Sequence, residues 1–230
     1  MTGPAAAGPA LIFDCDGVLI DSEPLSVSEL GRTLRAAGAP VSDADIYDRM
    51  IGRSVAEITA LVRDEHGVDA TADLPAYRAR LADRFAAELR PIAGIAAALA
   101  ALDGLPRAVA SSSTPARLDL TLRLTGLWDA FAPHIHSATE VARGKPAPDL
   151  FLHVAARLGV RPADCIVIED SIAGVRAAQA AGMRCIGFTG GSHAAAARLA
   201  ERLPALHPDA VIARAADLPD AVARLAAARA

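Results

Sequence analysis

At 230 residues, with 53% hydrophobic side chains and a formal net charge of -4, the chain has material for one sizeable core or for one domain carrying an insertion. That charge offers no basic surface for nucleic acid, and at 3% aromatic content the core must be assembled from Ala, Leu, Val and Ile. No apolar run is long enough to span a bilayer, and the Ala-, Gly- and Pro-rich start lacks the basic segment of a signal peptide; a disordered leader over residues 1–9 and a cytoplasmic protein are expected.

The first strand is read at Leu11-Ile12-Phe13, an apolar run that stops at two carboxylates, Asp14 and Asp16. Alternation along an extended strand aims both the same way, while Gly17 permits a sharp turn that redirects one of them. Adjacent carboxylates repel unless a cation or a shared proton compensates, so this pair at the end of a core strand points to metal binding and chemistry. A polar turn, Asp21-Ser22-Glu23-Pro24, follows, where Asp21 or Ser22 caps a helix with Pro24 in its first turn. From there to Leu89 every segment reads as helix: residues 27–36, 43–50, 55–65 and 75–89, with breaks at Gly38-Ala39-Pro40, Gly52 and Gly67. Such a block predicts an inserted helical domain, residues 22–90, within a core made of residues 10–21 and 91–230.

After Pro91 the pattern alternates. A helix over residues 95–102 leads to a strand at 107–110, then to Ser111-Ser112-Ser113-Thr114 and a helix at 115–124. A strand at 134–137 precedes the loop Arg143-Gly144-Lys145-Pro146-Ala147-Pro148 and a helix at 149–158. The strand at 165–168 ends in Glu169-Asp170-Ser171, and the helix at 172–181 stops at Gly182. Strands at 184–188 and 210–213 and a surface helix from Leu218 complete the chain. Strands alternating with helices predict an α/β fold with a doubly wound, mostly parallel sheet. Cys15, Cys165 and Cys185, on strands or their ends, read as small buried residues.

Four polar clusters follow strands or sit in loops of this sheet: Asp14/Asp16, Ser111 to Thr114, Lys145, and Glu169/Asp170. In open α/β sheets the carboxyl ends of the strands share one rim, where ligands bind. Carboxylates for a hard cation, one ammonium and hydroxyls near a helix start fit a phosphate group held with Mg²⁺. Blander readings exist for each: a strand-ending turn for Asp14 and Asp16, helix caps for Thr114 and Ser171, a solvated surface lysine for Lys145. His134 and His136 lack a clear third ligand, and Trp128 and Phe131 read as packing residues.

The ordered set Asp14-Cys15-Asp16-Gly17-Val18, the serine after Val109-Ala110, Gly144-Lys145-Pro146 and Glu169-Asp170-Ser171 resembles the haloacid dehalogenase-like superfamily of phosphohydrolases. The match runs from about Leu11 to Phe188, and the helical insert looks like the cap of the branch that includes β-phosphoglucomutase and small sugar-phosphate phosphatases. The resemblance implies Asp14 as nucleophile, Asp16 as acid and then base, and Ser111 and Lys145 as phosphoryl-binding catalytic groups. It implies Mg²⁺ held by Asp14, the Asp16 backbone carbonyl and Asp170, with Glu169 acting through a water. Ser112 and Arg53 are further candidates for substrate binding.

One departure is informative. Where sugar-phosphate mutases of this family commonly carry a histidine, this chain has Ser26, which favours net hydrolysis over phosphoryl transfer between sugar positions. A dehalogenase needs neither Asp16 nor Asp170, and a phosphonatase needs a cap lysine, which residues 22–90 do not contain. A non-catalytic phosphate-binding module has no use for both Asp14 and Asp16. The expectation is a Mg²⁺-dependent phosphomonoesterase for a small phosphorylated metabolite, a sugar or sugar-acid phosphate as in 6-phosphogluconate-phosphatase-like members. It is expected as a monomer or weak homo-oligomer, without nucleic-acid or membrane partners.

Overall fold

The computed structural model describes residues 8–228, so the expected leader lies almost wholly outside the described residues. Six strands form one parallel sheet in the order β3-β2-β1-β4-β5-β6. They are β1 (Ala10–Phe13), β2 (Arg107–Ser111), β3 (Ile135–Ser137), β4 (Cys165–Glu169), β5 (Arg184–Phe188) and β6 (Ala210–Ile212). Parallel neighbours require crossovers, and helices supply them on both faces, which is why β1 and β4 are apolar along their length. Residues of β1 alternate between the two helix layers. Leu11 and Phe13 join a cluster with Leu99, Leu118 and Phe131, while Ala10 and Ile12 join one with Phe151, Val154 and Val175.

Between β1 and β2 the chain forms α1 (Glu23–Ala36), α2 (Asp43–Arg49), α3 (Val55–His66) and α4 (Leu74–Glu88). This is the expected helical cap. Its helices begin and end where the sequence places stops: Ser42 and Ser54 close capping boxes with Asp45 and Glu57, and Gly67 ends α3 in the left-handed conformation. The chain enters and leaves the cap side by side, with Asp21 N–H donating to the Arg90 carbonyl at 3.0 Å and Ile20 bridging to Pro91.

The remaining helices cover the sheet. α5 (Ile95–Ala101), α6 (Pro115–Leu124), α7 (Trp128–Phe131) and α11 (Leu218–Ala227) lie on the Phe13 face. α8 (Asp149–Leu158), α9 (Ile172–Ala180) and α10 (Leu199–Arg202) lie on the Ile12 face. The last helix, expected at the surface, is amphipathic and buries Leu218, Ala221 and Val222 against the sheet layer. Phe131 meets Phe13 edge to face with ring centroids 5.5 Å apart, and Trp128 lies half-buried beneath the Arg123 guanidinium. The three cysteines are buried free thiols. Among the described residues no helix is long and apolar enough to cross a membrane.

Candidate active site

All four polar clusters reach the carboxyl rim of the sheet, around the point where strand order reverses between β1 and β4. Strand alternation ends at Phe13, so the two leading aspartates part company. Asp14 continues the ladder, its N–H donating to the Ile168 carbonyl at 2.9 Å, and its carboxylate Oδ1 accepts from Lys145 Nζ at 2.7 Å. Gly17, at φ +81°, then turns the chain; a Cβ there would fall 1.9 Å from Asp170 Oδ2.

Lys145 is the chain's single lysine and is 2% exposed. Its three donors are all used, on Asp14 at 2.7 Å, Glu169 Oε1 at 2.6 Å and the Ala110 carbonyl at 2.9 Å. Burial alone would strip its proton, but the Asp14 and Glu169 carboxylates more than offset that and hold the ammonium above its ordinary pKa. Glu169 is itself spoken for: Oε2 accepts from the Ser171 N–H and hydroxyl at 3.0 and 2.9 Å. It therefore orients Lys145.

Asp14, Glu169 and Asp170 place carboxylate oxygens within 4.8 Å of one another. Burial and the neighbouring carboxylates push the Asp14 pKa well up against the opposing pull of Lys145. Asp170 is likewise raised, chiefly by burial, and its Oδ2 is buried without a hydrogen-bond partner. Three carboxylates against one ammonium leave a surplus of negative charge that a divalent cation matches, and the orphaned Asp170 oxygen is a ligand atom in waiting. The residues present fit Mg²⁺. His193, which the sequence reading missed, occupies the same corner: its Nε2 lies 2.9 Å from Asp170 Oδ2 but off the hydrogen-bond line.

Asp16 is held differently. Its Oδ1 accepts from the Ser22 hydroxyl at 2.5 Å and from Arg117 Nη2 at 2.6 Å, and its Oδ2 accepts from the Ser113 hydroxyl at 2.6 Å. Burial acts to raise its pKa, but Arg117 and the two hydroxyls win and set it below the usual carboxylate value. Ser22 stands at the N-cap of α1, as expected, yet its hydroxyl makes no cap bond because it serves Asp16. Ser113 falls within the expected Ser111 to Thr114 cluster and serves Asp16, whereas nothing in the sequence marks Arg117 as a functional group.

Ser111 is 1% exposed, and its Oγ accepts from the Ser113 N–H at 3.1 Å. Ser112 donates to the Gly52 carbonyl at 3.0 Å, a bond from the rim to the α2–α3 loop of the cap. Arg53, next in that loop, is exposed and lines the cavity. That cavity, about 540 Å³, lies between cap and rim. Asp14, Asp16, Ser111 and Asp170 contribute polar groups, and Leu30, Met50, Leu81 and Phe85 of the cap helices and their borders contribute apolar wall.

A second cluster lies apart from Lys145. His136 Nδ1 and His153 Nε2 approach Glu140 Oε2 at 3.0 and 3.2 Å, whereas His134 takes no part. The buried His136 Nε2 has no partner. A metal-bound imidazole almost always donates its second N–H to an acceptor, so this trio reads as hydrogen bonding.

Comparison with known proteins agrees with this geometry. Residues 9–182 match the family described as "Hydrolase: haloacid dehalogenase-like hydrolase". A conserved haloacid dehalogenase-like protein of unknown function from Agrobacterium tumefaciens is 40% identical, with a TM-score of 0.80 over 96% of this chain and 100% of that one. A HAD family hydrolase from Deinococcus radiodurans, solved with bound phosphate and sodium, is 32% identical, with a TM-score of 0.71 over 96% of this chain and 97% of that one. The 6-phosphogluconate phosphatase of Escherichia coli is 31% identical over 186 residues, 80% of this chain and 84% of that protein. The chain belongs to the haloacid dehalogenase-like hydrolases.

Proposed function

We propose that this chain is a Mg²⁺-dependent phosphomonoesterase that hydrolyses a sugar or sugar-acid phosphate through an aspartyl-phosphate on Asp14. The observation that carries the reading is the state of Asp14: one oxygen fixed by a buried ammonium, and the carboxyl otherwise open to the cavity beneath the cap. A carboxylate held this way is oriented for in-line attack on phosphorus.

Asp14 forms the new bond to phosphorus as the ester oxygen leaves, and Asp16, ionised in the resting site beside Arg117, passes to that oxygen a proton it takes from a substrate bound as the phosphate monoanion. Asp16 then takes a proton from the water that attacks the aspartyl-phosphate and gives it up with the departing phosphate, so that both groups end as carboxylates. Lys145 balances the charge of Asp14 and of the phosphoryl group beside it, Ser111 binds a phosphoryl oxygen, and Ser112 and Arg53 contact substrate from the rim and the cap loop. Asp14, the Asp16 backbone carbonyl and Asp170 would hold Mg²⁺, with Glu169 in reach through a water, and its charge would offset that of nucleophile and phosphate.

Residues 22–90 act as a closing cap over a core of residues 10–21 and 91–230, pivoting where the paired segments around Asp21 and Arg90 cross. Relatives named hexitol phosphatase B and fructose-1-phosphate phosphatase, with the 6-phosphogluconate phosphatase, support the sugar-phosphate class. Ser26 supports hydrolysis over mutase chemistry. Rapid acid quench of a reaction with ³²P-labelled 6-phosphogluconate tests the covalent step. Label on the peptide containing Asp14 is expected; phosphate release with no labelled peptide at any quench time would contradict it.

A further inference from the structure

We propose that Arg117 is a positioning residue that ties the Asp16 carboxylate to the cap, so that Asp16 is aimed only while α1 and α4 are seated over the cavity. The inference rests on the phosphomonoesterase reading for what Asp16 does, and adds how Asp16 is placed.

Arg117 belongs to the core, in the first turn of α6, where its N–H closes on the Thr114 cap. Its guanidinium nevertheless spends most of its contacts on the cap. Nη2 donates to the Ser26 hydroxyl of α1 at 2.9 Å, the guanidinium carbon lies 5.0 Å from the centre of the Phe85 ring of α4, and Tyr77 of α4 stands beside it. The same Nη2 donates to Asp16 Oδ1 at 2.6 Å. One planar group thus touches two cap helices and the acid–base carboxylate at once. Lifting the cap removes Ser26, Phe85 and Tyr77 from the guanidinium together, and a long side chain released from three contacts no longer fixes the fourth.

The other two holders of Asp16 fit this arrangement. Ser113 is a rim residue, and Ser22 sits where the chain passes into α1. Asp16 is therefore gripped from the core, from the hinge and, through Arg117, from the closed cap. Arg117 Nε is buried without a partner, so the Nη2 bonds to Asp16 and Ser26 carry its polar anchoring. Ser26, the position that departs from the mutase pattern, is the seat for Nη2, so the connection between cap and acid–base group is made from the core side.

The variants Arg117→Met, Arg117→Lys and Ser26→Ala test this with Mg²⁺ present on two kinds of substrate. The alkyl esters 6-phosphogluconate and fructose 1-phosphate need a proton on the leaving oxygen, whereas p-nitrophenyl phosphate scarcely does. Arg117→Met is expected to lower kcat for the alkyl esters at least ~10-fold more than for p-nitrophenyl phosphate, with Arg117→Lys recovering part of the difference. Ser26→Ala should shift the same ratio in the same direction by less. Equal losses on both substrate kinds would mean a structural role only and would overturn the proposal. Amide hydrogen exchange carries the test independently of turnover. Arg117→Met and Asp16→Asn should both speed exchange in α1 and α4 relative to β1 and β4. Unchanged exchange would overturn the link between cap and Asp16 even in a fully active enzyme. A wild-type protein that hydrolyses no ester yet shows the exchange effect would instead count against the phosphomonoesterase reading.

Discussion

The Lys145 ammonium stands 2.7 Å from the Asp14 carboxylate, both buried, although 131 residues separate them. The sheet brings them together: Asp14 ends β1, Glu169 ends the adjacent β4, and Lys145 enters from the loop before α8 to bond both. Every donor of that ammonium has a protein acceptor, so its position is set before any ligand arrives.

Asp14→Asn keeps an amide oxygen for Lys145 but removes the nucleophile. Phosphate release should fall by ~10⁴-fold or more while circular dichroism stays native. The metal-free variant should melt above wild type, because a carboxylate crowded by Glu169, Asp170 and Asp16 has been neutralised.

Lys145→Met strands Glu169 and Asp14 as buried, unpaired carboxylates. A loss of about 3–5 kcal/mol in urea unfolding is expected, against a typical surface lysine replacement that changes little. Activity should disappear with it.

Gly174 lies in α9, where alanine ordinarily stabilises a helix by about 0.5–1 kcal/mol. Here an added Cβ would fall 1.8 Å from the Glu169 carboxyl carbon. The sign should reverse, with Gly174→Ala costing about 1–3 kcal/mol in denaturant unfolding and reducing activity through displaced Glu169 and Lys145.

Glu23, at the start of α1, is pushed up to about 7, first by burial and then by the Asp16 charge, with Asp170 adding to the rise and His193 and Arg117 opposing it. A carboxyl raised on folding contributes stability while it is protonated in both states, below its unfolded value near 4.5, and loses that contribution as pH climbs through about 7. Thermal melts of the metal-free protein should therefore fall between these pH values, and Glu23→Gln should flatten that slope.

Much of this was legible in the sequence because it is local. Asp14, Asp16, Glu169 and Asp170 follow apolar strands directly, and a parallel sheet puts all strand ends on one rim. Lys145 was legible through the stiff, proline-flanked loop around it. Arg117 was not, since Thr114-Pro115-Ala116-Arg117 reads as an ordinary helix start and only the docking of α1 and α4 turns that arginine inward. His193 follows Gly190-Gly191-Ser192 after β5, with no periodicity to orient it; only the β4–β5 neighbour relation brings it to Asp170. His136 meets Glu140 four residues on, and the packing of α8 on β3 adds His153 to the same carboxylate, which spacing along the chain does not reveal. Arg53 is the reverse case, placed at the cavity by the cap loop as expected, yet exposed.

The most direct measurement is phosphate release from a panel containing 6-phosphogluconate, fructose 1-phosphate and β-glucose 1-phosphate, assayed with Mg²⁺ and again with EDTA. Release from a narrow part of the panel, abolished by EDTA and restored by added Mg²⁺, is the predicted result. Conversion of β-glucose 1-phosphate to its 6-phosphate isomer without net phosphate, or release that EDTA leaves untouched, would contradict it.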